Sequence, residues 1–182
     1  MRTLAEHILD IVQNSVRAKA TLIEIIVEES KKNDLCVLTI KDNGCGMDAE
    51  MLKQATNPFF TSRKTRKVGL GIPLLKQNAE AAGGRFSLES EPNAGTTLCA
   101  GFQLENVDRP PTGDIYEALY LLFLSYRDIE LVYQHKTDKG DFRISTSELK
   151  EALGDVSWQQ KEIRLGIIDL IKTNLDELEV TR

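Results

Sequence analysis

The sequence predicts an α+β fold in which a sheet of hairpin-connected strands carries helices on one face. Three observations lead there. Apolar residues recur at helical spacing over Leu4–Ala18. Two pairs of alternating segments flank turn sequences, Thr21–Glu29 with Leu35–Lys41 and Arg85–Glu91 with Thr96–Leu104. Two consecutive prolines, Pro110-Pro111, then break the pattern before a second group of helices, which divides the chain into residues 1–108 and an α/β extension, 109–182. With 182 residues, 41% apolar and 28% charged, the composition excludes disordered and fibrous classes.

In chain order, Leu4, Ile8, Ile11, Val12 and Ser15 mark the first helix. Ile23, Ile25 and Val27 alternate through the first strand, and Lys31-Lys32-Asn33-Asp34 turns it into the second. A glycine-punctuated loop, Asp42-Asn43-Gly44-Cys45-Gly46-Met47, leads to a short helix over Asp48–Thr56. Asn57–Val68 has no clean period. Gly71–Ala82 reads as a helix stopped by Gly83-Gly84. The second hairpin turns at Pro92-Asn93-Ala94-Gly95. In the extension, Ile115, Leu119, Leu122, Phe123 and Tyr126 stripe a helix, and a hairpin turns at Asp138-Lys139-Gly140-Asp141. Ser145 with Glu148, and Ser157 with Gln160, are capping-box signatures opening two further helices. The extension is either a small domain of its own or an added hairpin on the first sheet, and its last helix packs into the core or docks a partner.

Charge and cysteine content narrow the function. The net charge of −5 argues against a broad nucleic-acid-binding surface. Residues 1–108 are nearly neutral yet hold Arg63, Lys64, Arg66 and Lys67 together, which is either a site for a small anion or a solvated loop. No apolar run nears the roughly 18 residues of a membrane span, and no apolar signal core follows Met1. Cys36, Cys45 and Cys99 form no CxxC pair, so a reducing, cytoplasmic setting is expected.

Four motifs can carry chemistry. In Asp42-x-Gly44-x-Gly46 a carboxylate after a strand can accept from an exocyclic amine while glycines admit a flat ring; the same pattern also makes an ordinary strand exit. Gly69-x-Gly71 opens a helix whose free N–H groups suit a phosphate, although glycine-started helices are common. Gly95-Thr96-Thr97 offers hydroxyls at a strand start. Asp10 and Asn14, four apart, share a helix face with Arg17 and could hold a hydrated magnesium ion and a water.

In this order and spacing, over about residues 4–104, the motifs resemble the GHKL ATPase superfamily of gyrase, heat-shock chaperones, histidine kinases and MutL. Asp10-Ile11-Val12-Gln13-Asn14-Ser15 is similar to its N box, in the MutL form; Asp42–Met47 to the G1 box; Asn57-Pro58-Phe59-Phe60-Thr61-Ser62 to the F box of histidine kinases; and Gly69-Leu70-Gly71-Ile72 to the G2 box. The resemblance implies a two-layer α/β sandwich of the Bergerat type that binds ATP with Mg2+. Asn14 would coordinate the magnesium, Asp42 would accept the adenine amino hydrogen with Thr97 in support, Gly44 and Gly46 would give the ring room, and Met47 would pack on it. Residues 61–71 would be the ATP lid, with Arg63, Lys64 or Lys67 reaching the phosphates and Gly69 and Gly71 closing over them, and Phe60, Thr61 and Leu70 would also be among the cofactor-binding residues.

Two positions depart from the pattern. Hydrolysing members have glutamate where this chain has Asp10, one methylene shorter, and displacement of a general base by roughly an ångström costs much rate. Lys67 stands where many kinases have glycine. His7 and His135 do not resemble a phosphoacceptor, so phosphate transfer would need one on another protein. The resemblance implies an ATPase or kinase module acting on a protein partner, or alternatively a nucleotide-sensing regulatory subunit without turnover; a second copy of the chain is a further partner to consider.

Overall fold

The computed structural model describes residues 1–57 and 70–181. Its elements are α1 (Leu4–Arg17), β1 (Leu22–Ser30), β2 (Leu35–Asp42), α2 (Ala49–Ala55), α3 (Gly71–Ala81), β3 (Phe86–Glu91), β4 (Gly95–Phe102), α4 (Ile115–Ser125), β5 (Glu130–Thr137), β6 (Gly140–Ser145), α5 (Thr146–Leu153) and α6 (Lys161–Glu177). The strands form one mixed sheet in the order β3-β4-β2-β1-β5-β6. Both predicted hairpins of the first hundred residues are present, β1 with β2 and β3 with β4, all antiparallel.

The helices cover one face. Ile23, Ile25 and Val27 of β1 and Cys36, Leu38 and Ile40 of β2 are buried on it, while Ile26, Val37 and Thr39 between them are only half-buried on the reverse side. Period-2 alternation delivers that split directly. Helix α1 supplies Leu4, Ile8, Ile11 and Val12 to the same core, at its 3.6-residue spacing. Its N-terminus is capped twice: Thr3 Oγ1 accepts from Glu6 N at 3.2 Å, and the amides of Leu4 and Ala5 donate to the carbonyls of Pro111 and Thr112 at 2.9 and 3.1 Å. Its C-terminus closes with Lys19 in the left-handed region (φ 59°) and Ala20 N donating to Ser15 O at 3.1 Å.

The extension adds to the sheet instead of folding away from it. Strand β5 lies parallel to β1, with Ile25 opposite Tyr133, and β6 completes the edge. Ile115, Leu119 and Phe123 of α4 and Ile167, Ile171 and Leu175 of α6 join the same apolar core, so core and sheet both run across Pro110-Pro111. Helix α5 is capped as predicted, with Ser145 Oγ accepting from Glu148 N at 3.3 Å. The signature at Ser157 fails. Helix α6 begins at Lys161 after Gln160, with no side-chain cap, because the chain ahead of it is pinned by Trp158. The indole is 1% exposed beneath the Arg127 guanidinium, 4.6 Å from the ring centroid, and Tyr120 Oη donates to the Trp158 carbonyl at 3.1 Å.

Both histidines are fully buried and structural. His7 Nε2 accepts from Asn78 Nδ2 on α3 at 2.9 Å, leaving Nδ1 buried without a hydrogen-bond partner. His135 joins Tyr133 Oη to Glu29 Oε1, at 2.6 and 3.2 Å. Burial of Glu29 opposes its ionisation, but the bonds from His135 and from the Thr181 amide outweigh that and hold the carboxyl below its usual range. Burial, ahead of the nearby N-terminal charge, lowers the pKa of His7 from 6.5 to about 4. Between those values the unfolded chain binds the extra proton, so stability falls as pH drops from about 6.5 toward 4, by up to about 3 kcal/mol from this group. Urea unfolding of wild type and His7→Gln at pH 7 and pH 4.5 should show the acid loss reduced in the variant. An equal loss in both proteins would remove His7 as its source.

Candidate functional site

The site grows from the contact between the C-terminal half of α1 and the exit of β2. Asp42 ends its strand on the helix-covered face and is only 8% exposed. Ser15 Oγ donates to Asp42 Oδ2 at 2.6 Å, and the amide of Gly44 donates to Oδ1 at 2.8 Å. Each carboxylate oxygen therefore has one protein donor and keeps acceptor capacity for another. Ser15 was legible only as one more residue of the buried stripe, because its partner lies 27 residues away.

The loop after Asp42 is tied down residue by residue. Asn43 Oδ1 accepts from the amides of Thr21 and Leu22 at 2.8 and 2.9 Å, fastening the loop to the start of β1. Cys45 N donates to Ala18 O at 2.8 Å, and a Cβ on Gly44 would sit 2.8 Å from the Ala18 Cβ. Gly46 has φ +64°, and a Cβ there would fall 1.9 Å from the Glu91 carbonyl oxygen. Close approach to the protein's own backbone is thus what both glycines satisfy. Met47 is half-buried, its amide donating to Ser90 Oγ at 2.8 Å. Ser90 Oγ in turn donates to Gly95 O at 2.8 Å and lies 3.0 Å from Thr96 Oγ1.

The pairing of β2 with β4 decides which hydroxyl accompanies Asp42. Asp42 lies opposite Thr96, and Lys41 opposite Thr97. Paired residues share a face, so Thr96 is on the face of Asp42 and Thr97 points to the other side. The expectation for Thr97 moves one residue, to Thr96.

Farther toward the start of α1, Asp10 and Asn14 are half-buried. Asn14 Oδ1 accepts from Arg17 Nη1 at 3.0 Å, and Arg17 is exposed, so the oxygen can be released at small cost. Asp10 faces the first turn of α3: a Cβ on buried Gly71 would lie 1.8 Å from Asp10 Oδ2, so a larger residue there would have to push the Asp10 carboxylate aside. Leu70 precedes it as the N-cap residue, 40% exposed, and α3 has no side-chain cap. Phe60, Thr61, Arg63, Lys64, Lys67 and Gly69 lie outside the described residues. Among the described residues, no three His, Cys, Asp or Glu side chains are grouped to hold a metal. The donor set fits a cation shared between Asn14 and a phosphate ligand, and does not fit a closed all-protein metal site.

One sheet face with helices over it, a buried carboxylate at a strand exit and a helix carrying Asp10, Asn14 and Ser15 across that face are the arrangement of the histidine-kinase-like ATPase fold. Residues 2–106 match the family described as Histidine kinase-, DNA gyrase B-, and HSP90-like ATPase, and the chain belongs to it. A candidate sensor protein of Shewanella frigidimarina is 35% identical over 107 residues, 58% of this chain and 16% of that one. Sporulation kinase C of Bacillus subtilis is 30% identical over 95 residues, 52% of this chain and 22% of that one. This chain therefore spans less than a quarter of the length of either relative. The N-terminal domain of a DNA repair protein shares the fold, with a TM-score of 0.57 at 16% identity over 87% of this chain and 59% of that one.

Asp42→Asn should weaken ATP binding about ten- to a hundredfold with little change in melting temperature, since a charge-assisted acceptor becomes a group that can present a donor. Ser15→Ala, which leaves the carboxylate free to turn, should cost about two- to tenfold. Calorimetric titration checks both, and an unchanged dissociation constant in Asp42→Asn would take that residue out of the site.

Proposed function

We propose that the chain binds Mg-ATP and serves as a histidine-kinase-like ATPase or kinase module that acts on, or signals to, a partner protein. The observation that carries this is the Asp42 carboxylate, buried yet left with acceptor capacity by Ser15 and Gly44. In this reading Asp42 takes the adenine amine, Thr96 stands beside it, and Asn14 turns from Arg17 to the metal. Magnesium, when bound, neutralises charge on the phosphates. Asp10 lies five positions before Ser15 in α1, about 7.5 Å of helix rise, and beside Gly71, which supports a role for it away from the base and toward the phosphates. Arg63, Lys64 or Lys67 would complete the phosphate contacts.

Asp10 is the proposed general base, working at short reach. The second reading, nucleotide sensing without turnover, is favoured by that same missing methylene and by the tight seating of Asp10 on Gly71. Incubation with ATP labelled on its terminal phosphate separates the outcomes: free phosphate means hydrolysis, labelled protein means transfer, and neither means sensing.

Slow release of free phosphate is expected. Asp10→Glu should speed it, and Asp10→Ala should abolish it with ATP affinity preserved, because a general base acts in the transition state. Phosphate release by Asp10→Ala at the wild-type rate would rule out the assignment. Asn14→Ala should shrink the gain in affinity on adding magnesium while leaving affinity in EDTA nearly unchanged. Equal losses in both conditions would make Asn14 structural.

A further inference from the structure

After α6 the chain reverses at Glu179, whose φ of 52° is left-handed, with Val180 N donating back to Leu175 O at 3.2 Å. Residues 178–181 then lie across the end of the sheet opposite Asp42, held by side chains from three separate places. Thr137 Oγ1, at the end of β5, donates to Leu178 O at 3.0 Å. Glu29 Oε2, at the end of β1, accepts from Thr181 N at 2.9 Å. Thr112 Oγ1, in the segment between β4 and α4, donates to Thr181 O at 2.5 Å. Glu179 adds ion pairs to Lys31 and Lys139 at the two hairpin turns.

Two of these anchors are placed to matter beyond local packing. Glu29 is 6% exposed and shares its other oxygen with fully buried His135, so undocking Thr181 would leave a buried carboxylate oxygen short of a donor. Thr112 is 5% exposed, and its own carbonyl and that of Pro111 cap the first amides of α1. Gly113 (φ +71°) packs so closely on Thr3, the N-cap of α1, that a Cβ would come within 2.6 Å of the Thr3 Cβ. A chain of part-buried hydrogen bonds and one close van der Waals contact thus joins residues 178–181 to the N-terminus of the helix that bears Asp10, Asn14 and Ser15.

The geometry points to residues 178–181 as a latch: docked on Glu29 and Thr112, they hold the segment 111–113 against α1 and so set the position of the helix at the nucleotide site. Thr112 and Glu29 are positioning residues in this scheme and touch no ligand. Coupling of this kind is reciprocal, so occupancy of the site at one end of α1 tightens the latch at the other. The functional part of the inference rests on the ATP-binding reading above; the mechanical part does not.

The test uses the full chain and Thr112→Val, which removes one hydroxyl at constant shape and keeps the Thr112 carbonyl. Thr39→Val, a half-buried position on the reverse face of the sheet, is the control. Hydrogen exchange at the amides of Thr181, Leu4 and Ala5 reads the latch, and calorimetric titration with Mg-ATP reads the site. Thr112→Val should speed exchange at all three amides together and raise the dissociation constant about three- to tenfold, the worth of one buried neutral hydrogen bond. Thr39→Val should do neither. Faster exchange at Thr181 with Leu4, Ala5 and affinity unchanged would overturn the proposal. Failure of the wild-type chain to bind Mg-ATP would overturn the reading of the site instead, and exchange would still decide whether the latch moves α1.

Discussion

An ionisable side chain that is only 8% exposed must be given its partners by the fold, and Asp42 draws them from two directions. One is the backbone of its own loop, at Gly44; the other is the hydroxyl of Ser15, across the interface between the helix layer and the sheet. The second bond constrains more. It is satisfied only when α1 sits on β2 at one translation and one rotation, because a helix turned by one residue presents a different side chain 100° away. The apolar stripe of α1 can tolerate some sliding, as apolar contacts are not directional. A 2.6 Å hydrogen bond to a buried carboxylate cannot.

With that bond fixed, the remaining features of the site fall to the same helix. Ala18 receives the loop through Gly44 and Cys45, and Asp10 meets Gly71 two turns earlier. α1 is thus a spine read from several sides: by β2 at Ser15, by α3 at Asp10 and His7, and by the segment 111–113 at its first turn. The extension beyond Pro110-Pro111 contributes to that spine as well as to the sheet. A helix docked by three separate elements has little freedom to shift locally, so motion at one contact is shared with the others.

Local patterns were the legible part. Alternation marked β1, β2, β3 and β4, helical spacing marked α1, and glycine spacing marked the loop at Asp42, all within windows of a dozen residues or fewer. What escaped was set by non-local pairing. Nothing near Ser15 announces a partner in β2, and nothing near Thr96 and Thr97 shows which of them lies opposite Asp42; a strand shifted by one residue exchanges faces. The parallel pairing of β5 with β1 brings Glu29, His135 and Tyr133 together from opposite parts of the chain. Ser157 carried a valid capping signature and lost to tertiary burial of the neighbouring Trp158. The glycines at 44 and 46 were found by motif, while the reason for them came from the backbone they touch.

Trp158 also makes the molecule optically simple. It is the sole tryptophan in the chain, almost wholly shielded from water and covered by the Arg127 guanidinium. Selectively excited emission therefore arises from one indole in one environment, lodged between α4 and the start of α6, in the extension and not among the residues assigned to the nucleotide. At 1% exposure the indole offers no face on which a bound ligand could stack. A spectral change on adding nucleotide would accordingly be a signal carried through the protein, with the extension as its readout and no label required.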